Sequence, residues 1–226
     1  MEELLAALGE DDGLDPGPVL LLRHSERESL REASVAAALD APLTPGGRAL
    51  ASRLGAALPT RRPVRLFHSP VSRCADTARI VAEAARRAGG RAEVLGPRDG
   101  LGAPFLLDPE RAIERFAALG MAGFVRAWLA GEVPPDIAAP HAGAAGLLLG
   151  LLLRERATAP GALQIHVAHD LTVITLLGLG FPVHRPGFPW PGYLDGCLLS
   201  GTNPLRCRYH GETLTLDTTP QETTSC

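Results

Sequence analysis

Three short strand-like runs, the first wholly apolar and each followed by polar residues, organise this chain. Residues 18–22 (Pro-Val-Leu-Leu-Leu) lead into Arg23-His24-Ser25-Glu26-Arg27, and residues 63–67 lead into His68-Ser69-Pro70. Residues 164–168 lead into His169-Asp170. Runs of this length and branching predict buried strands, with the polar residues at their carboxyl ends. Helical stretches lie between them. Thr44 is expected to cap a helix with Pro45 at its first position, running to about Leu58, where Pro59 stops it. Leu50, Leu54 and Ala57 or Leu58 form its apolar face. Ser72 is expected to cap a second helix that ends at Gly89-Gly90. Further helices are expected at 2–9, near 109–119 and 121–130, and over 143–157 and 171–177. The pattern then changes to β-like runs at 196–200, 205–210 and 213–216, which suit antiparallel edge strands.

This alternation predicts an α/β fold with a mostly parallel central sheet, and connections of the right size for crossovers. Residues 96–142 carry six prolines and are expected to form a helical and loop insertion over the carboxyl edge of the sheet. Phe105, Phe124 and Trp128 within it either line a pocket or staple the insertion to the core, and stapling is expected for at least two. At 226 residues and 46% hydrophobic, the chain is expected to form a single domain over 1–226, with 218–226 a mobile tail.

The net charge of −3 gives no general attraction to nucleic acid. The basic clusters Arg61-Arg62-Arg65 and Arg86-Arg87-Arg91 lack interleaved aromatics and read as solvated faces. All 22 basic residues are arginine, which excludes Schiff-base and Walker lysine chemistry. Cys74, Cys197, Cys207 and Cys226 form no pair with zinc spacing, so no metal and no cofactor is expected. Cys74 is expected in the core. Cys197 and Cys207 are placed to face each other in a hairpin, as reduced thiols in a cytoplasmic protein. The acidic N-terminal stretch has no signal-peptide character, and the apolar run at 143–153 is too short for a bilayer. A membrane partner is therefore not expected, and the oligomeric state is left open.

Ligands of open α/β sheets bind outside the carboxyl ends of the strands. Arg23, His24, Arg73, His169 and Asp170 all fall there. Arginines hold a phosphate by forked hydrogen bonds, and a neutral imidazole can attack it. Arg73, in the first turn of its helix, can add its charge to the free N–H groups there. The alternative is a set of solvated strand-end residues, which three separate strand ends make hard to sustain.

Arg23-His24-Ser25, the segment Ser69-Pro70-x-x-Arg73-x-x-x-Thr77, Ala168-His169-Asp170 and Pro42-Leu43-Thr44-Pro45-Gly46-Gly47 together resemble the histidine phosphatase superfamily. The resemblance spans roughly 18–182, in the family's motif order. It implies a phosphoglycerate mutase-like three-layer α/β/α sandwich and a phosphohistidine intermediate on His24. It further implies that Arg23, Arg73 and His169 surround the phosphoryl group. Arg27 matches an additional arginine of the acid phosphatase branch, and Asp170 matches that branch's proton donor. Three positions depart from the pattern. Ser25 stands where glycine is most familiar and could donate to the phosphate. His68 replaces a small hydroxyl residue and could line the pocket. Ser29 replaces a proline expected after Arg27. Asp99 and Glu26 remain alternative donors.

The expected activity is metal-independent hydrolysis of a small phosphorylated metabolite. A phosphomutase using the same intermediate and a catalytically idle phospho-ligand-binding module are the alternatives. His141, His184 and His210 are expected to face solvent. His166 is expected in the core or facing a crossover.

Overall fold

The computed structural model describes residues 5, 6, 8, 17–29 and 41–216. A seven-stranded sheet forms the middle layer, with strand order β3-β2-β4-β1-β5-β6-β7. The strands are β1 (Val19–Arg23), β2 (Val64–His68), β3 (Ala92–Pro97), β4 (Leu163–Ala168), β5 (Gly196–Ser200), β6 (Leu205–Tyr209) and β7 (Glu212–Leu216). The β3-β2-β4-β1 half is parallel, and β5, β6 and β7 continue it antiparallel. Alternation along β1 builds two cores. Leu20 and Leu22 join one with α1 (Pro45–Ala56) and α2 (Ser72–Arg87). Val19 and Leu21 join the other with α3 (Pro109–Leu129), α4 (His141–Ala157) and α5 (Asp170–Leu177). The result is the expected three-layer sandwich.

Local chemistry explains most boundaries. Thr44 caps α1 by accepting from Gly47 N at 2.8 Å, with Pro45 at the first position. Gly120, at φ 66°, breaks α3 into the two helical pieces expected from the sequence. Strands β5 to β7 fall within one residue of the expected runs.

Several expectations change. Ser72 is the first residue of α2 rather than its cap; Val71 caps it without a side-chain bond, because the extended Pro70-Val71 turn delays the helix. Strand β3 was not expected. It is a half-exposed edge strand with mixed polarity, so it carries no clear alternation. It also takes residues 96 and 97 from the insertion. Phe105, Phe124 and Trp128 are all buried in the core, where Phe105 and Trp128 stack at 4.9 Å. His141 is not solvent-facing: it packs edge-on against Trp128 and bonds Thr175 O at 3.0 Å. His166 is fully buried and stacks on Phe67 at 4.8 Å. Cys74, Cys197 and Cys207 are free buried thiols. A hydrogen bond to Cys207, together with burial, pushes the Cys197 thiol up. Leu5, Ala6 and Leu8 are helical, and the rest of the expected 2–9 helix and the 218–226 tail lie outside the described residues. Among the described residues no helix is long and apolar enough to cross a membrane.

Helices α1 and α2 touch at Gly55, where an added Cβ would lie 2.2 Å from Val81 O. Gly146 on α4 is exposed, with nothing within 4 Å of such an atom. Gly55→Ala is therefore expected to lose about 1–3 kcal/mol by overpacking. Gly146→Ala should gain about 0.5–1 kcal/mol from helix propensity. Urea unfolding of both variants checks the pair; equal shifts would contradict the close contact of α1 and α2.

Candidate active site

Adjacent strands β2, β4 and β1 bring three polar segments to one edge. Backbone bonds extend the sheet into them: His24 N donates to Ala168 O at 2.9 Å, and Ser69 N donates to Val167 O at 2.9 Å. Arg23 N donates to Asp195 O at 2.8 Å, tying in the segment before β5.

His24 is 3% exposed. Its Nδ1 lies 2.7 Å from Ser25 O, a carbonyl that can only accept, so Nδ1 carries the proton. Its Nε2 accepts from Arg73 Nε at 2.9 Å. The ring is thus held neutral, with the lone pair on Nε2 directed towards the arginine. Burial pushes its pKa down to about 2, and Arg73, His169 and Arg23 push the same way. Arg73 Nη2 also reaches His169 Nδ1 at 3.3 Å, and His169 Nε2 lies 3.0 Å from Ser69 Oγ. Burial, then Arg73, lowers His169 to about 4. The two imidazoles meet edge to face at 5.6 Å.

Arg23 packs its guanidinium on the Tyr193 ring at 4.4 Å and donates to Pro191 O at 2.9 Å. It also faces Asp170 Oδ2 at 3.5 Å. Asp170 begins α5: its Oδ1 accepts from Leu171 N at 2.9 Å and its Oδ2 from Trp190 Nε1 at 3.2 Å. The structure therefore brings Arg23, His24, Arg73, His169 and Asp170 together.

Ser25 and Arg27 are placed differently. The buried Ser25 hydroxyl donates to Gly47 O at 2.6 Å, and its N–H donates to Thr77 Oγ1 at 3.1 Å. It braces the loop and leaves its carbonyl for His24. Arg27 donates to Glu28 O at 2.9 Å and pairs as an isolated bridge with Leu43. It acts on Arg73 only at a distance, as one of the charges lowering it, behind burial. Glu26 accepts from Thr44 Oγ1 at 2.7 Å, which occupies it in the cap of α1. Asp99 is exposed at the start of a 3-10 turn, next to Arg98, whose N–H donates to His68 O at 2.8 Å. His68 is buried, with Nδ1 bonding Ser69 O at 2.8 Å.

Trp190, Tyr193 and Asp195 escaped the sequence reading. Their signal was the aromatic and proline-rich stretch ahead of β5, visible by composition but with no strand end or motif to place it. Among the described residues no cluster of His, Cys, Asp and Glu is arranged to hold a metal.

His24, His166 and His169 are neutral in the fold, with values near 2, 3 and 4 against an ordinary 6.5. The unfolded chain takes up protons below pH 6.5 while the folded chain does not. Their stabilisation is thus complete above pH 6.5 and is lost progressively as pH falls towards those lower values. The urea midpoint should decline from pH 6.5 to 4, and ring signals of these histidines in NMR should show no titration through pH 6.5. A titration of His24 near 6.5 would contradict the site.

Residues 19–93 match the family profile described as the histidine phosphatase superfamily, branch 1. No curated protein sequence matches the chain. Several solved structures share the fold. The Bacillus stearothermophilus protein YhfR superposes with TM-score 0.62 at 19% identity, over 87% of this chain and 97% of its own. A mycobacterial glucosyl-3-phosphoglycerate phosphatase gives 0.56 at 22%, over 85% and 96%. A phosphoglycerate mutase from Bacillus anthracis gives 0.51 at 16%, over 90% and 92%. Over residues 19–93 the chain is therefore similar to the histidine phosphatase superfamily, and over most of its length it shares the fold of these solved structures.

Proposed function

We propose that the protein hydrolyses a small phosphomonoester through a phosphohistidine on His24. The observation that carries this is the orientation of His24, with the proton on Nδ1 held by Ser25 O and the lone pair on Nε2 held at Arg73. A phosphoryl group arriving at Nε2 would draw Arg73 and Arg23 onto its oxygens. The Nε2–P bond forms as the bond from phosphorus to the ester oxygen breaks. Arg23, Arg73 and an N–H of His169 stabilise the spread charge on the equatorial oxygens. Asp170 gives its proton to the departing oxygen, which leaves as the alcohol. Water then attacks phosphorus, Asp170 takes its proton, and the Nε2–P bond breaks to release phosphate. Asp170 is taken as the donor because it directly follows His169 and faces Arg23, whereas Glu26 is occupied by Thr44. The family profile matched is that of branch 1, over a segment that ends before Asp170; the donor directly after the second histidine is the feature resembling the acid phosphatase branch. Free thiols at Cys74, Cys197 and Cys207 fit a reducing compartment such as the cytoplasm.

Phosphate release from a panel of sugar, amino-acid and aryl phosphates tests this reading, and transfer to a second hydroxyl instead of water would reassign it as a mutase. The charge stabilisation comes from arginine and histidine, so turnover is expected to persist in EDTA. Loss in EDTA with recovery on Mg²⁺ or Zn²⁺ would count against the mechanism. Asp170→Asn should slow alkyl phosphates about 10²–10⁴-fold and p-nitrophenyl phosphate far less, since p-nitrophenolate leaves without a proton. Equal loss on both would assign Asp170 to orienting His169.

A further inference from the structure

We infer that Trp190 is the positioning residue for the Asp170 acid, a role that rests on the hydrolase reading above. The indole lies in Phe188-Pro189-Trp190-Pro191, where two prolines restrict the backbone. Both carbonyls flanking Trp190 are held. Tyr209 OH donates to Pro189 O at 2.7 Å, and Arg23 Nη1 donates to Pro191 O at 2.9 Å. Downstream, His210 Nε2 lies 2.8 Å from Asp195 Oδ2, and Asp195 Oδ1 accepts from Gly196 N at 2.8 Å. The backbone that carries the indole is thus held on both sides of it. The indole N–H meets Asp170 Oδ2 at 3.2 Å, while Leu171 N meets Oδ1 at 2.9 Å. The carboxyl plane is thus set by one donor on each oxygen, against a torsion that is otherwise soft.

Arg23 is the other group on Oδ2, at 3.5 Å. It is also a phosphate ligand in the proposed reaction. When phosphate engages Arg23 through Nη2, the atom that faces Oδ2, Nη1 keeps Pro191 O and the indole N–H is the contact left to hold Oδ2. The proton carried by Asp170 then points at the ester oxygen rather than turning away with the arginine. Trp190 does not touch the reacting atoms; it acts through Asp170.

The test compares the parent with Trp190→Phe, which keeps an aromatic ring and removes the N–H, and with Trp190→His, which restores a ring N–H. In Trp190→Phe, kcat for an alkyl phosphate should fall about 10- to 100-fold, the scale of a misplaced reacting group. Its KM should hold, and p-nitrophenyl phosphate turnover should stay within about twofold. Trp190→His should recover part of the alkyl rate. Equal loss on both esters, or no loss on either, would overturn the inference. A second arm needs no change at Trp190: Asp170→Asn should shift the tryptophan emission, and an unchanged spectrum would equally overturn it. Absence of phosphate release from every ester in the parent would instead sink the hydrolase reading, leaving the emission arm to judge the contact.

Discussion

The hydrogen bond from Arg73 Nε to His24 Nε2 is the contact on which the site depends. It can form only if Nε2 carries a lone pair, and the Ser25 carbonyl ensures this by claiming the proton on Nδ1. Burial enforces the same state, because a charged imidazole at 3% exposure beside two arginines would be strongly disfavoured. In the proposed reaction this arrangement would hold the nucleophile ready and cover it with the cation that the substrate recruits. Phosphate offers Arg73 a better partner than an imidazole nitrogen does, since a charge-assisted pair is the stronger bond. Under the proposed mechanism, binding the anion and uncovering Nε2 would therefore become one event.

The sheet order supplies the convergence. Strands β2, β4 and β1 are neighbours, so their ends deliver Arg73, His169 and His24 to one place although 145 positions separate the first histidine from the last (169 − 24). The loops that follow are braced from beneath. Thr77 accepts from Ser25 N and donates to Arg73 O, so one hydroxyl couples the loop after β1 to the first turn of α2. Ser25 Oγ is locked on Gly47 O, and a side chain at Gly47 would strike Glu26 O at 2.1 Å. The rigid parts thus come from the parallel half. The antiparallel half contributes the aromatic wall, with Tyr193 on Arg23 and Trp190 on Asp170.

Much of this was legible in the chain. Short branched apolar runs mark β1, β2 and β4 because a strand buried on both faces needs no alternation, and chemistry at their ends follows from the topology of open sheets. The cap at Thr44 and the break at Gly120 were readable from single-residue physics. Edge strand β3 was not, since half exposure leaves no periodic signal. Nor was the turn of Ser25 away from the site: a hydroxyl beside a nucleophile looks like a ligand until the Gly47 carbonyl is placed next to it. Tyr193 depends on a contact 170 positions away (193 − 23) with Arg23, and Trp190 on one with Asp170 20 positions back, and no local pattern encodes either.

Trapping the covalent intermediate tests the central claim most directly. The protein would be mixed with a phosphomonoester, quenched and digested, and the modified residue and ring nitrogen identified by mass spectrometry and phosphorus NMR. The account requires an acid-labile phosphoryl group on Nε2 of His24, lost in His24→Ala. A phosphoryl group on His169, on a carboxylate or on Nδ1 of His24 would contradict it, as would turnover that persists in His24→Ala.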